Sequence, residues 1–349
     1  MRACPASVSH QGDVVRVTPS GGDDTAALQC AIDTAVSSGK PATIRLGAGR
    51  FHTAQLVAKG FVGVLSGRGV DATVVTNLST PLPVTAVDFF DAEPGPSNPW
   101  PTLLAFLDGD FTVSDLTIEA LGEAPTTGWS VFGIEPPIKA LAQEIVVVGT
   151  SARARFERIT FAGRVAPSDQ IFGMNVYNAV FFEGILGPPI AGTFDVRDSD
   201  FVEVAAGAVA VNVQDARVSI ASNRSTRTPF PVQLADTNRT DLVVVGNHFD
   251  GGVAGVQVLD ACGPTEPLCG LSNSRVLIAG NTLSAFDGIE LLATFHGAMS
   301  CAVVGNRIQS DALHGGVDVW LGGGTTNCLV QNNGPVRDDG HGNTVIALH

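Results

Sequence analysis

The sequence predicts an all-β fold in which short parallel strands stack into a solenoid, the parallel β-helix. The first observation is a short apolar segment ending in Asn, which recurs at Asn223, Asn247, Asn281, Asn306 and Asn333 with spacings of 24, 34, 25 and 27 residues. The second is a strand-length segment of alternating apolar and polar residues between these copies. A repeat of this length that contains no helix cannot bury its apolar face alone, so it must stack on the next repeat.

The recurring Asn has a physical reason. Period-2 alternation directs one set of side chains inward and the other outward. Asn tolerates the left-handed backbone of a tight corner, and stacked amides hydrogen-bond along a ladder. A leucine-rich repeat has a similar period, but its LxxLxLxxN pattern is absent. A β-sandwich would not keep five successive Asn residues in register. The Asn repeat therefore favours the solenoid.

An amphipathic helix is predicted near the N-terminus, where it would cover an open end of the solenoid. Asp24 is expected to be its N-cap, and Gly39 is expected to end it. Its apolar face is expected to comprise Ala27, Leu28, Ala31, Ile32 and Val36.

No composition shift marks a second domain, so we interpret residues 1–349 as one β-helix domain. Residues 13–52 form the cap and first coil, and residues 53–345 form the remaining coils. Loop excursions are expected near residues 79–101, 122–143, 162–171, 184–192 and 261–274.

The N-terminal segment resembles the entry to the pectin-lyase-like right-handed β-helix family. The resemblance rests on Gly22-Asp-Asp-Thr-Ala26, the helix that follows, and Ile44-Arg-Leu-Gly-Ala-Gly-Arg-Phe51. Together with the Asn repeat it covers residues 13–345. It implies right-handed coils of three parallel sheets. It does not fix an activity, because the scaffold carries lyases, hydrolases, epimerases, tailspikes and non-catalytic proteins.

The charge balance excludes several kinds of partner. The chain has 20 Lys and Arg against 34 Asp and Glu, which gives a net charge of −14. Such a chain is a poor electrostatic partner for nucleic acid or an anionic membrane. No apolar run approaches the roughly 20 residues of a membrane-spanning helix. A polysaccharide is the macromolecular partner that these observations leave open, and they do not address the oligomeric state.

The six cysteines form three couples that are close in sequence: Cys4 with Cys30, Cys262 with Cys269, and Cys301 with Cys328. An even count fits disulfides and an oxidising compartment, and thus a secreted or periplasmic protein. Buried free thiols are the alternative.

The second recurring segment predicts an outward column of polar side chains. Strands of a parallel sheet lie about 4.8 Å apart, so the column would run along the solenoid beside a lane of small residues and form a shallow trench for an extended polymer. An ordinary solvated face is the alternative interpretation. The column comprises Glu135, Asn175, Asn212, Gln233, Gln257, Glu290 and Asp318.

The candidate catalytic pair is Glu290 and Asp318. If these residues occupy successive copies, their carboxyls lie about 5 Å apart, the separation of retaining glycosidase pairs. Two carboxylates at that distance resist double ionisation, so one pKa should rise, as a general acid needs. Asp287 lies next to Glu290 in sequence, and His296, His314 and Trp320 are also close to the pair in sequence. Asp287 and His314 are further catalytic candidates, and His296, Trp320 and the much earlier Tyr177 are substrate-binding candidates.

The segment Phe286-Asp-Gly-Ile-Glu-Leu291 resembles the Asp-Gly-Ile-Asp stretch of polygalacturonase-type hydrolases, with Glu290 at the position of a catalytic acid. The following Asp-Asp, Gly-His-Gly and Arg-Ile-Lys motifs of those enzymes have no matching positions in order. A surface pair without chemistry and a cation site are the alternatives.

Lyases of this fold resemble one another in using a basic residue to abstract a proton beside a uronate carboxylate. Calcium or another cation often neutralises that carboxylate. The chain has three Lys, none of them in the column, so the base would be an arginine such as Arg217, Arg239 or Arg275, each of which is also interpretable as a surface ion-pair partner. Calcium needs six to eight oxygen ligands. The acidic clusters at residues 108–110 and 195–200 do not show that density. No cofactor is therefore predicted, and calcium stays an unsupported alternative.

Three functions are consistent with the sequence. The first is a secreted polysaccharide-active enzyme, a hydrolase rather than a lyase because Lys is scarce. The second is a non-catalytic surface or binding protein. The third is a small-molecule enzyme with a pocket formed by the long excursions near Trp100, Trp129 and Tyr177.

Overall fold

The computed structural model describes residues 4–78, 102–120, 142–164, 176–184, 189–259, 274–292, 299–332 and 334–347. The chain forms two compact units. Unit 1 comprises residues 1–181 and 202–205, and unit 2 comprises residues 182–201 and 206–349. The single-domain interpretation stays a prediction.

Unit 1 contains one helix and nine strands among its described residues. They are β1 (Val8–Gln11), β2 (Val14–Val17), α1 (Thr25–Ser37), β3 (Ala42–Leu46), β4 (Gly49–Thr53), β5 (Leu56–Lys59), β6 (Val62–Ser66), β7 (Thr73–Asn77), β8 (Thr102–Glu119) and β9 (Ala142–Ala162). Two strands, β10 (Val176–Glu183) and β12 (Asp200–Val202), contribute residues to both units.

Unit 2 contains the remaining described strands and a single 3₁₀ turn, Ala312–His314. They are β11 (Ile190–Arg197), β13 (Ala206–Val211), β14 (Val213–Ala221), β15 (Arg224–Thr226), β16 (Phe230–Ala235), β17 (Asp241–Val245), β18 (His248–Leu259), β19 (Arg275–Ala279), β20 (Thr282–Leu292), β21 (Ser300–Val304), β22 (Arg307–Ser310), β23 (Val319–Leu321), β24 (Leu329–Asn332), β25 (Val336–Asp338) and β26 (Thr344–Ala347).

The strands of unit 1 pair in parallel, apart from the antiparallel hairpin of β1 and β2. The long strands β8 and β9 pair along their whole length and turn two corners, so each contributes to three sheets. β5, β6 and β7 each pair with a different part of β8. This is the right-handed parallel β-helix that the sequence predicted.

Helix α1 buries Ala27, Leu28, Ala31, Ile32 and Ala35 against the first strands, so the predicted face is correct except that Ala35 replaces Val36. Gly39 follows the helix with a φ of 62°, as expected for a helix end.

Asp24 occupies the predicted N-cap position of α1, and its main-chain carbonyl accepts hydrogen bonds from the N–H groups of Ala27 and Leu28. Its carboxylate makes no capping bond. Instead it accepts hydrogen bonds from the main-chain N–H groups of Ser20 at 2.8 Å and His52 at 3.3 Å. Asp24 therefore joins the start of the helix to β4, because neighbouring main-chain donors compete with the helix for the same oxygens.

Aromatic rings fill part of the interior of unit 1. Phe106 and Phe111 are stacked with ring centroids 4.0 Å apart, and Phe156 meets both edge-on. All three are buried. Their burial supplies much of the apolar area that holds successive coils together.

Three parallel sheets form unit 2. The first sheet contains β13, β16, the second half of β18, the second half of β20, β23 and β25. The second contains β11, β14, β17, β19, β21, β24 and β26. The third contains β15, the first halves of β18 and β20, and β22.

The Asn ladder is formed as predicted among the described residues of unit 2. The side-chain oxygen of Asn247 accepts hydrogen bonds from the N–H and the amide of Asn223, at 2.9 and 3.1 Å. In the same way, the side-chain oxygen of Asn281 accepts hydrogen bonds from the N–H and the amide of Asn247, and that of Asn306 accepts them from Asn281. Each bond links one coil to the next. Asn333 lies outside the described residues.

The corner conformation, however, differs from the prediction. The residues with positive φ are those just before the ladder, namely Ser222, Gly246, Gly280 and Gly305, and not the Asn residues themselves. Because the preceding residue makes the turn, the Asn side chain is free to point inward and bond the neighbouring coil.

Two of the three predicted disulfides are confirmed, Cys4–Cys30 and Cys301–Cys328. The third couple, Cys262 with Cys269, lies outside the described residues. Such bonds fit an oxidising compartment. In the part of the chain that the structure describes, no helix has the length and hydropathy needed to cross a lipid bilayer.

Candidate functional site

The outward face of the first sheet of unit 2 carries a continuous column of polar side chains. In register, Gln233 lies opposite Gln257, which lies opposite Glu290, then Trp320, then Arg337. The alternate positions of these strands, such as Val232, Val256, Ile289 and Val319, are buried in the coil interior. The alternation therefore fixes which side chains face out.

Hydrogen bonds connect three members of the column. The amide nitrogen of Gln233 donates to the amide oxygen of Gln257 at 2.7 Å, and the amide nitrogen of Gln257 donates to Oε2 of Glu290 at 2.6 Å. Both amide groups therefore donate in the same direction along the column, and the last hydrogen bond is accepted by the Glu290 carboxyl.

Glu290 is held as an acid near neutral pH. Only 7% of its surface is exposed. Its pKa is raised from 4.5 to about 7, chiefly by burial; the hydrogen bond from Gln257 opposes the rise, and the nearby Asp287 carboxyl contributes to it. A carboxylic acid with this pKa exchanges its proton readily at physiological pH, which suits general acid–base chemistry.

Asp287 is the carboxylate that contacts Glu290 on the same strand. It is buried, and its Oδ1 accepts a hydrogen bond from the N–H of Val317 in the next coil at 2.8 Å. This main-chain bond fixes the carboxylate beside Glu290. The predicted neighbourhood of Asp287 and Glu290 is thus formed by the structure.

The predicted alignment of Asp318 with Glu290 is wrong. The residue opposite Glu290 is Trp320, two positions later. Asp318 lies just before β23, where it is buried and its Oδ1 accepts a hydrogen bond from the Ser310 hydroxyl at 2.7 Å. Its carboxylate also packs closely against Gly334. A slip of two residues preserves which side chains face outward, so the alternation alone could not detect it.

Trp320 extends the column toward the C-terminal coils. The guanidinium carbon of Arg337 lies 4.3 Å from the centre of the Trp320 ring system, a distance typical of cation–π contacts. The indole N–H donates to Asp339 at 3.0 Å, and Nε of Arg337 donates to the same carboxylate oxygen at 2.8 Å. One face of the indole is therefore covered by Arg337.

Sequence analysis missed Arg337 and Asp339. The signal was present, because Pro335-Val336-Arg337-Asp338 repeats the pattern of Pro231-Val-Gln-Leu234. Phe286, next to Asp287, is 39% exposed.

His314 does not join the buried carboxylates. It lies in the 3₁₀ turn with a largely exposed side chain, and its Nδ1 is 2.6 Å from Oδ2 of Asp311. The N–H of Asp311 donates to the carbonyl of Phe286, which attaches this turn to the edge of the site. A catalytic role for His314 stays a prediction.

Asn212 does not belong to the column. Val209 occupies the position opposite Gln233. Asn212 lies three residues later at a corner with a φ of 52°, and its side chain donates to the carbonyl of Gly184 at 2.6 Å. An odd offset moves a residue to another face, and the left-handed corner explains why Asn is tolerated there.

The remaining predicted site residues cannot be placed. Glu135, Asn175 and His296 lie outside the described residues, as do Trp100 and Trp129. Tyr177 lies in β10, but its side chain is outside the described part.

Two of the three candidate basic residues are ion-pair partners, as the alternative interpretation predicted. Arg239 makes a double hydrogen bond to Asp215, at 2.6 and 2.5 Å, and Arg275 does the same to Asp241, at 2.7 and 2.9 Å. These bonds raise the pKa of both guanidinium groups. Neither is suited to removing a proton. Arg217 lies opposite Asp241 in the second sheet, away from the column.

The described residues form no group of three or more His, Cys, Asp or Glu that could hold a metal ion. In the cluster at residues 108–110, Oδ1 of Asp108 accepts hydrogen bonds from the N–H groups of Thr150 and Ser151, at 2.7 and 3.0 Å. This carboxylate therefore stabilises a corner between coils.

The sequence matches no protein-family model and no curated protein. Its fold is similar to that of the mannuronan C-5 epimerase AlgE4 A-module from Azotobacter vinelandii, with a TM-score of 0.53, 14% identity, and coverage of 93% of this chain and 77% of that one. PfbA, a surface adhesin of Streptococcus pneumoniae, gives a TM-score of 0.46, 11% identity, and coverage of 93% and 89%. At such identities the likeness shows the parallel β-helix alone.

Proposed function

We propose that this chain is a secreted polysaccharide-active enzyme of the glycoside hydrolase type. The observation that carries the proposal is the buried Glu290 carboxyl, which keeps its proton near neutral pH at the end of an outward column of amides. The fold likeness to a module named as a mannuronan epimerase supports a polymer as the ligand.

In this mechanism Glu290 is the general acid. It donates its proton to the oxygen of the glycosidic bond as that bond breaks, and a water molecule adds to the sugar carbon. Asp287 contacts Glu290 and is fixed by the Val317 N–H, so its role is to keep the proton on Glu290. A base that activates water on the opposite face of the sugar stands about 6.5–9.5 Å from the acid. Asp318, the partner that sequence analysis favoured, is therefore the candidate base that receives the proton of that water. Gln233, Gln257 and Trp320 would bind neighbouring sugars.

A panel of neutral and acidic polysaccharides tests this function. Reducing ends report hydrolysis, and unsaturated products report elimination. We expect reducing ends without unsaturated products, and a loss of at least 100-fold in Glu290→Gln and in Asp287→Asn. A similar loss is expected in Asp318→Asn, because Asp318 is the candidate base. Asp250→Asn removes an exposed carboxylate of the third sheet and is the matched control, with no expected effect. Full activity in Glu290→Gln would exclude the proposed acid.

One observation favours a second function, a non-catalytic carbohydrate-binding protein. The amides of Gln233 and Gln257 are bonded to each other and to Glu290, so the column satisfies part of its own hydrogen-bonding capacity. Binding of a polysaccharide without any product in the panel would support this function instead. The third function, a small-molecule pocket at the excursions, falls outside the described residues.

A further inference from the structure

The charges around Glu290 indicate which polymers the site accepts, provided that the proposed function is correct. Asp287 and Asp318 are buried carboxylates on adjacent coils. The hydrogen bond between Gly288 N–H and the Val317 carbonyl places the two coils side by side at this point. Glu290 itself becomes an anion above its pKa of about 7. A carboxylate on a bound sugar would therefore approach two or three like charges in a partly desolvated place.

No cation of the described face is free to offset these charges. Among the described residues of β16, β23, β25 and the second halves of β18 and β20, Arg337 is the one Lys or Arg. It donates to Asp339 and lies over the Trp320 ring. A site that recognises sugar carboxylates normally presents a free Arg or Lys for bidentate or charge-assisted bonds.

The remaining surroundings suit an uncharged sugar. Phe286 is adjacent to Asp287 in sequence, and 39% of its surface is exposed. The turn attached to the Phe286 carbonyl presents Leu313, which is 95% exposed. Apolar surface of this kind packs against the C–H faces of sugar rings, and the amides of the column bond hydroxyl groups. Exposed aromatic and aliphatic groups beside buried polar groups are typical of ligand sites.

We propose that the polymer bound along this column is an uncharged glycan and that polyuronates are excluded by the carboxylates at its end. Phe286 contributes apolar contact to the same sugar. The carboxyl groups of Asp287, Asp318 and Glu290 together determine the selectivity. They repel charged sugars, while the apolar groups and amides beside them attract neutral ones.

The test uses matched polymers that differ in charge alone. Galacturonan, glucuronan and mannuronan are each compared with their carboxyl-reduced form, which has the same linkage and no charge. Binding to the full chain is measured by isothermal titration, and cleavage by reducing ends. We expect at least one neutral form to bind at least tenfold more tightly than its charged parent. A polyuronate that binds as well as its reduced form overturns the inference. Absence of binding and cleavage throughout a wider glycan panel overturns the proposed function itself.

A pH series identifies the charges responsible. The groups that surround Glu290 are Asp287 on its own strand, Gln257 on β18, Trp320 on β23 and Asp318 just before β23. We expect the preference for the neutral form to increase at least threefold between pH 5.5 and 8.5, as Glu290 loses its proton.

Variants complete the test. In Glu290→Gln the preference should no longer change with pH, whereas in the control Asp250→Asn it should change as in the original chain. A preference that changes equally in Glu290→Gln overturns the assignment to these charges. Phe286→Ala should weaken binding of the neutral form at least fivefold and leave the folding midpoint unchanged, because the ring is exposed. Unchanged binding in that variant removes Phe286 from the site.

Discussion

Replacing Glu290 by Gln removes one ionisable group from the column and keeps its shape, since Gln257 and Gln233 already show that amides fit there. The pKa of Glu290 is about 7 in the folded chain and 4.5 at its ordinary value. Below pH 4.5 the carboxyl is protonated in both states and does not oppose folding. Between pH 4.5 and 7 the unfolded chain releases this proton while the folded chain keeps it, so the free energy of unfolding falls.

The size of the effect follows from the two pKa values. Each tenfold change in acidity corresponds to about 1.4 kcal/mol, so the full difference amounts to about 3 kcal/mol. Little of this is lost to solvent screening, because Glu290 is 7% exposed. The loss should be complete above pH 7, and Glu290→Gln should not show it.

Urea unfolding of both proteins at pH 5 and pH 8, with intact disulfides, measures the difference. We expect the original chain to lose about 2.5 kcal/mol more than Glu290→Gln between these pH values, because part of the effect is already present at pH 5. The comparison cancels the titration of all other groups that the two proteins share. Equal losses in both proteins would show that Glu290 ionises freely in the folded state, and the general-acid role would then lose its physical basis.

Three further predictions concern neighbouring parts of unit 2. Asn247→Ala removes a side chain that both donates and accepts between coils, so urea unfolding should show a loss of about 2–4 kcal/mol; an unchanged midpoint would contradict the ladder's role. Gln257→Leu removes the hydrogen bond that lowers the pKa of Glu290, so the pH profile of activity should move to higher pH, and a move to lower pH would refute the assignment. Gly334→Ala places a methyl group against the Asp318 carboxylate, so the variant should melt at a lower temperature, whereas an unchanged melting temperature would contradict this packing.

The sequence predicted the repeat better than the site. The ladder at Asn223, Asn247, Asn281 and Asn306 follows from residues that must lie one above another, and each copy has the same local chemistry. The column Gln233, Gln257 and Glu290 was found for the same reason. Here three successive copies share the alternation and the same four-residue pattern, Pro231-Val-Gln-Leu, Gly255-Val-Gln-Val and Gly288-Ile-Glu-Leu, although their coils differ in length.

The errors arose where the recurring pattern is out of register with the strand. The coil that contains Asp318 carries the inserted 3₁₀ turn, and alternation cannot distinguish two registers that are two residues apart. Asn212 was misplaced because its segment was aligned three residues away from the true register, in which Val209 lies opposite Gln233. Asp287, in contrast, was expected beside Glu290 because the two residues are close in sequence. Contacts at corners depend on the path of the main chain, which the residue types alone do not determine.

The ladder has a consequence for how such a protein changes in evolution. Each coil from Asn223 to Asn306 carries a ladder Asn and offers its main-chain carbonyl to the Asn of the next coil, so a copy of such a coil can stack on its neighbour by the same hydrogen bonds. Duplicating one coil inside unit 2 would lengthen the column by about 4.8 Å, one sugar at most, without new packing rules. Insertion or deletion of a gene segment of about two dozen codons would therefore add or remove one binding subsite on this surface.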